Sequence, residues 1–151
     1  MPEFLAEGSA IKNLMQPDRV LVGTPSTKNG ECAFRTIRRL HEGWLSSEKL
    51  INIHTCSSEL SKLLANALLA QKISSINSIS ALCEATHASV LEVKTGVGSD
   101  KRIGMNHLHP SIGFGGHCFT KDVNSLIYIC QAQGLPEVAE YWNGVLKINE
   151  F

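Results

Sequence analysis

A chain of 151 residues, 43% hydrophobic and 19% charged, has room for one modest domain with a real core but not for two full domains around a cleft. Its 14 basic and 14 acidic side chains cancel, so no net field draws it to nucleic acid or an anionic membrane. No apolar run approaches the roughly 20 residues of a membrane span, no signal-peptide pattern opens the sequence, and the five cysteines form no paired motif, which points to a reducing compartment, the cytoplasm.

Phe4 to Leu14 reads as a short amphipathic helix stopped before Pro17. Arg19-Val-Leu-Val-Gly23 is a β-branched run ending in a Gly/Pro/Ser/Asn loop, as expected of a buried strand. Glu31 to Leu45 carries apolar residues at Ala33, Phe34, Ile37, Leu40 and Trp44, a helical period. Leu50 to His54 is a second short strand. Strand, helix and strand at this spacing form a βαβ unit, and two strands alone are too few for a stable parallel sheet.

From Ser57 to about Ala85 no glycine or proline interrupts the chain, and Ser57 or Ser58 is placed to cap a single long helix. At 1.5 Å per residue it spans about 40 Å, the length of an element that joins domains or lies in a subunit interface. Burial by neighbours within the same fold is the plainer reading of such a helix. Ser89 to Val97 and Lys121 to Gln133 read as further helices, and Leu135-Pro136 starts another with proline in its first turn. Between them, Gly98 to Gly116 is rich in glycine and histidine. The expected fold is mostly α with a small α/β remnant.

Ser111-Ile-Gly-Phe-Gly-Gly-His-Cys-Phe-Thr-Lys-Asp122 is the stretch richest in chemistry. Its glycines permit tight turns and close approach of a ligand. Cys118 follows them at the entrance to a helix, where free amide N–H groups favour a thiolate nucleophile. Lys121 adds positive potential, and Asp122, one turn beyond Cys118, is placed to accept a proton or orient water. A cysteine buried in a core is the plainer reading of such a residue. The segment is neither a P-loop nor a dinucleotide fingerprint, since no Lys-Ser or Lys-Thr pair follows and no strand precedes it. Lys62 and Asn66, four apart on the long helix, share a face and suit an oxyanion, although polar pairs of this kind commonly face solvent.

Pro2 to Gly8, Ser58 to Asn66, Ser74 to Ser80, Arg102-Ile-Gly104 and Gly113 to Asp122 together resemble the UDP-glucose 6-dehydrogenase family in order and spacing, closest to its animal form. The resemblance runs along essentially the whole chain. It implies that residues 1–55 are the end of a Rossmann-like NAD-binding domain. Residues 56–151 would then be a central helical dimerisation domain, with a long connecting helix over about 57–85 and a catalytic loop at 111–122. The family oxidises UDP-glucose to UDP-glucuronate with NAD as cofactor, through a cysteine thiohemiacetal and thioester.

Cys118 matches the nucleophile. Lys62 and Asn66 match residues that stabilise the reacting oxygen, Asp122 the aspartate that orients water, and Glu3 a glutamate acting in thioester hydrolysis. Phe4, Leu5, Phe114 and Gly115 match substrate-lining positions, Arg102 an arginine that reaches a neighbouring subunit's substrate, and Lys121 a cofactor-side residue. Partners implied are UDP-glucose and a second subunit, either another copy or a full-length enzyme paired through the long helix.

The chain departs from the family pattern at several points. The glycine-rich NAD fingerprint is absent from it, which implies an internal piece inactive by itself. Met1 stands where the family has asparagine, Cys56 where it has an aromatic residue, His87 where it has glycine, and His117 where it has serine, while Pro110 replaces a smaller residue. An inactive structural or dimerisation fragment is the alternative function. A further alternative is a zinc-binding module using His107, His109, His117 and Cys118, whose residue types suit that metal.

Overall fold

The structure, a computed structural model, describes residues 8–151 and is mostly helical, with one two-stranded parallel sheet among those residues. The chain forms two compact units, residues 1–62 and 63–151. Glu3, Phe4 and Leu5, all expected to serve the site, lie outside the described residues, as does the expected start of the first helix at Phe4. No helix among the described residues is long and apolar enough to cross a membrane.

In the first unit, α1 (Ala10–Met15) buries no side chain. It begins later than the helical period suggested, because residues 8 and 9 form a turn with Gly8 at φ +79°. Strand β1 (Val20–Thr24) lies one residue beyond its expected place, and β2 (Leu50–His54) falls where the sequence put it. The two are parallel, with Val20 opposite Leu50 and Thr24 opposite His54. Between them α2 (Lys28–His41) starts three residues early, because the Thr27 side chain caps it by accepting from the Gly30 N–H at 3.1 Å. Val22, Leu45 and Leu50 form a small core under Phe34 and Ile37. This is the expected βαβ unit. Across the sheet, Thr24 Oγ1 donates to Asn52 Oδ1 at 2.8 Å.

Helix α3 (Thr55–Thr86) follows β2 without a loop and runs for 32 residues. It does not use Ser57 or Ser58 as its cap. Both lie inside the helix, and Ser58 is buried. At its far end the N–H of Ala88 bonds to the Cys83 carbonyl at 2.9 Å, and His87 takes φ +59°. That left-handed position ordinarily goes to glycine, the residue the family pattern expects here.

In the second unit, α3 packs with α5 (His117–Ala132) and α6 (Pro136–Glu150). Ala67 and Ala70 have no exposed surface, and Ser74 Oγ donates to the Val145 carbonyl at 2.7 Å. Small side chains at these turns let α3 approach the α6 backbone closely. Val123, Leu126, Cys130, Ala139, Trp142 and Val145 complete the core. Helix α4 (Val90–Gly98) is capped by Ser89. The turn from α5 to α6 carries two backbone bonds, Leu135 N–H to Cys130 and Gly134 N–H to Gln131, before Pro136 opens the next helix.

Two substitutions test this packing. His87→Gly relieves the left-handed strain and is expected to stabilise the second unit by about 1 kcal/mol in urea unfolding. Trp142→Ala empties a large buried site and is expected to cost about 3 kcal/mol or more in the same measurement.

Candidate active site

Helix α5 starts at His117, four residues before its apolar period becomes visible at Lys121. Gly116, at φ +79° and ψ 172°, occupies the N-cap position, and no side chain caps the helix. The first turn therefore presents its N–H groups to solvent or to a ligand. Cys118 is the second residue of that turn and is exposed, so the buried-core reading of this cysteine does not hold.

One turn later Asp122 has no exposed surface. Its Oδ2 accepts from Asn66 Nδ2 of α3 at 2.6 Å, a contact between residues 56 apart in sequence. A carboxylate removed from water is costly unless it is hydrogen-bonded, so this contact couples α5 to α3 at the site. Lys62 is partly buried on α3 one turn before Asn66. Lys121 is exposed beside an open groove lined by Asn124, Ser125 and Tyr128.

The loop before α5 is tied at two points. The Ser111 N–H donates to Asn77 Oδ1 of α3 at 3.0 Å. Asn149 of α6 accepts from the Phe114 N–H at 2.7 Å through Oδ1 and donates to the Phe114 carbonyl at 3.0 Å through Nδ2. The Phe114 ring is buried in the core, edge-on to Phe119 with centroids 5.6 Å apart, while Gly115 is exposed. Neither asparagine stands out in the sequence, because each partner lies more than thirty residues away.

Arg102 is exposed and turned onto its own loop. Its backbone N–H and Nε reach Asp100 Oδ1 at 2.9 and 3.0 Å. The Arg102 side chain, and then its backbone N–H, hold the Asp100 carboxyl below its ordinary value of 3.8.

The four residues of the zinc alternative are not gathered. Among the described residues no three or more His, Cys, Asp or Glu side chains converge as a metal would need. His109 Nδ1 instead lies 3.2 Å from Lys94 Nζ.

A model of the central domain of the UDP-glucose/GDP-mannose dehydrogenase family matches residues 56–151. The chain belongs to that family. It is 58% identical over 150 residues to a mouse UDP-glucose 6-dehydrogenase and 55% identical to a soybean UDP-glucose 6-dehydrogenase 1. Both alignments take in 99% of this chain, and 30% and 31% of those proteins respectively. A solved UDP-glucose dehydrogenase from the archaeon Pyrobaculum islandicum superimposes with a TM-score of 0.85 at 31% identity, covering 97% of this chain and 32% of that one. The chain thus spans about 30% of the length of the curated relatives it matches. Within the family match lie α3, Cys118, Asp122, Asn66 and both loop ties.

The Asp100–Arg102 pair gives a pH prediction. A depressed carboxyl pKa stabilises the turn above 3.8, and that contribution is lost as pH falls through the lower folded value. Carboxyl titration followed by NMR is expected to place Asp100 below the ordinary aspartate range and to move it upward in Arg102→Ala.

Proposed function

We propose that this chain supplies the covalent part of a UDP-glucose 6-dehydrogenase site, where Cys118 captures the C6 aldehyde of the sugar nucleotide and Asp122 manages the water that releases the product. The observation that carries this reading is the 2.6 Å hydrogen bond from Asn66 to the completely buried Asp122, one turn beyond an exposed Cys118.

Sulfur adds to the carbonyl carbon, the carbonyl π-bond breaks, and the oxygen takes the negative charge of a thiohemiacetal. Donors from Asn66 and Lys62, on one face of α3 by their spacing, suit that oxygen. Once the adduct has been oxidised to a thioester, water adds at the acyl carbon and the carbon–sulfur bond breaks. A carboxylate leaves, and the thiol is restored. Asp122 orients that water and takes its proton, assisted by Glu3. Phe4, Leu5, Gly115 and Arg102 are read as the substrate-contacting positions and Lys121 as cofactor-binding, while Phe114, with its ring in the core, shapes the loop instead of reaching the substrate. In this reading residues 1–55 close a nucleotide-binding domain and 56–151 form the central one.

NAD, implied by the family, supplies the hydride acceptor for each oxidation when bound. The described residues do not fit its pyrophosphate, because β1 runs through Pro25 into a helix capped by Thr27, with no glycine-rich turn to cradle phosphates. No hydride step is therefore assigned to this chain, and by itself it is not expected to turn over.

A second reading, an inactive pairing module, draws support from α3. Leu68, Ile79 and Leu82 are exposed there, and their spacing brings them to one side of the helix. Such a face suits a second copy of this chain or a complete relative.

Three experiments test these readings. The folded chain, given UDP-glucose and NAD⁺, is expected to form no more NADH than Cys118→Ala. The C6 aldehyde of UDP-glucose is expected to protect Cys118, but not Cys32 or Cys56, from iodoacetamide, and absence of that protection sinks the covalent role. For the pairing module, sedimentation of a Leu68→Glu, Leu82→Glu variant is expected to show weaker self-association than the parent. Equal association would remove that face from consideration.

A further inference from the structure

The first turn of α5 is poorly held by its own packing. His117, Cys118, Thr120 and Lys121 are exposed, and a Cβ at Gly115 or Gly116 would meet nothing within 4 Å. Whatever fixes the start of this helix must act from just upstream, at Phe114, or through Phe119. Asn149 acts at that point. Its amide satisfies both main-chain polar groups of Phe114, at 2.7 and 3.0 Å, in the manner of a neighbouring strand.

The approach is close enough to dictate the residue before it. Gly113 sits at φ +103°, and a Cβ there would come within 2.6 Å of Asn149 Oδ1. Asn77 holds the same loop at Ser111 from α3. Fixing Phe114 also fixes the edge-on contact of its ring with Phe119, the residue next to Cys118.

We propose that Asn149 is a positioning residue for Cys118: its side-chain amide clamps Phe114 and so sets where the first turn of α5, with the cysteine on it, begins. This rests on the reading of Cys118 as nucleophile, to which Asn149 adds geometry rather than chemistry. It touches neither substrate nor sulfur. Each of its two hydrogen bonds is partly buried, and together they favour one loop conformation over its neighbours.

The test compares Asn149→Ala and Asn149→Asp with the parent chain. Hydrogen exchange reads the Phe114 amide, and iodoacetamide alkylation of Cys118 is scored against Cys32 and Cys56 in the same digest. Cys118 is already exposed, so loosening the loop adds no access. It frays instead the first helical turn, of the kind whose N–H groups favour a nucleophilic sulfur. Asn149→Ala is expected to speed exchange at Phe114 and lower the relative Cys118 rate by roughly threefold. Asn149→Asp keeps an acceptor for the Phe114 N–H and is expected to restore most of both.

An unchanged Cys118 ratio in folded Asn149→Ala, with the Phe114 amide exposed, overturns the proposal. If the alanine variant does not fold, an aspartate variant that loses Phe114 protection and leaves the ratio unchanged overturns it equally. Alkylation needs no turnover, so failure of the dehydrogenase reading shows in the aldehyde protection assay and leaves this result standing on its own.

Discussion

A carboxyl group with no exposed surface, that of Asp122, is the constraint on which the candidate site depends. Removing such a group from water is costly unless hydrogen bonds replace the lost solvent. Asn66 provides one such bond to Asp122 across the α3–α5 contact. The site is therefore part of the core rather than an addition to its surface. Ala67 and Ala70, one and four residues beyond Asn66, are fully buried in the core cluster that also holds Val123 of α5.

Around that buried anchor the structure grades from rigid to open. Asp122 and Val123 are fully buried, Phe119 is half-buried, and Cys118 is exposed at the uncapped end of the helix. A nucleophile has to meet its substrate, yet it must be held still while it does so. In the role proposed for Cys118, both demands are met by keeping the first turn of α5 clear of the core and tying the preceding loop to α3 and α6 through two asparagines. At the far end of α3, His87 stands in a left-handed turn of the kind glycine fills without strain, a place where stability has not been optimised.

Much of the fold was legible beforehand for local reasons. Leu50 to His54 is a short run rich in leucine and isoleucine and bounded by polar residues, and β2 matches it residue for residue. The uninterrupted stretch after it becomes α3, two residues longer at its start and one at its end than expected. Boundaries slipped where capping decided them. Thr27 pulled the start of α2 forward, and Gly116 let α5 begin through a backbone conformation, with no side-chain signal to read. The Ser57 and Ser58 cap failed because β2 hands directly to α3, so no free helix end exists there to be capped.

The sequence by itself determined the element types, the glycine-rich loop with its cysteine, and, through several motifs in register, the family. Those features are written in short-range periodicity and in backbone freedom at single residues. Only the tertiary structure decided that Asn66 meets Asp122 and that Asn149 meets Phe114, pairs separated by 56 and 35 residues. It also decided that His107, His109, His117 and Cys118 do not gather around a metal. Such pairings depend on how helices pack and which faces they turn to one another. A hydrogen bond made or missed over a few tenths of an ångström is settled by that packing, which no local pattern encodes.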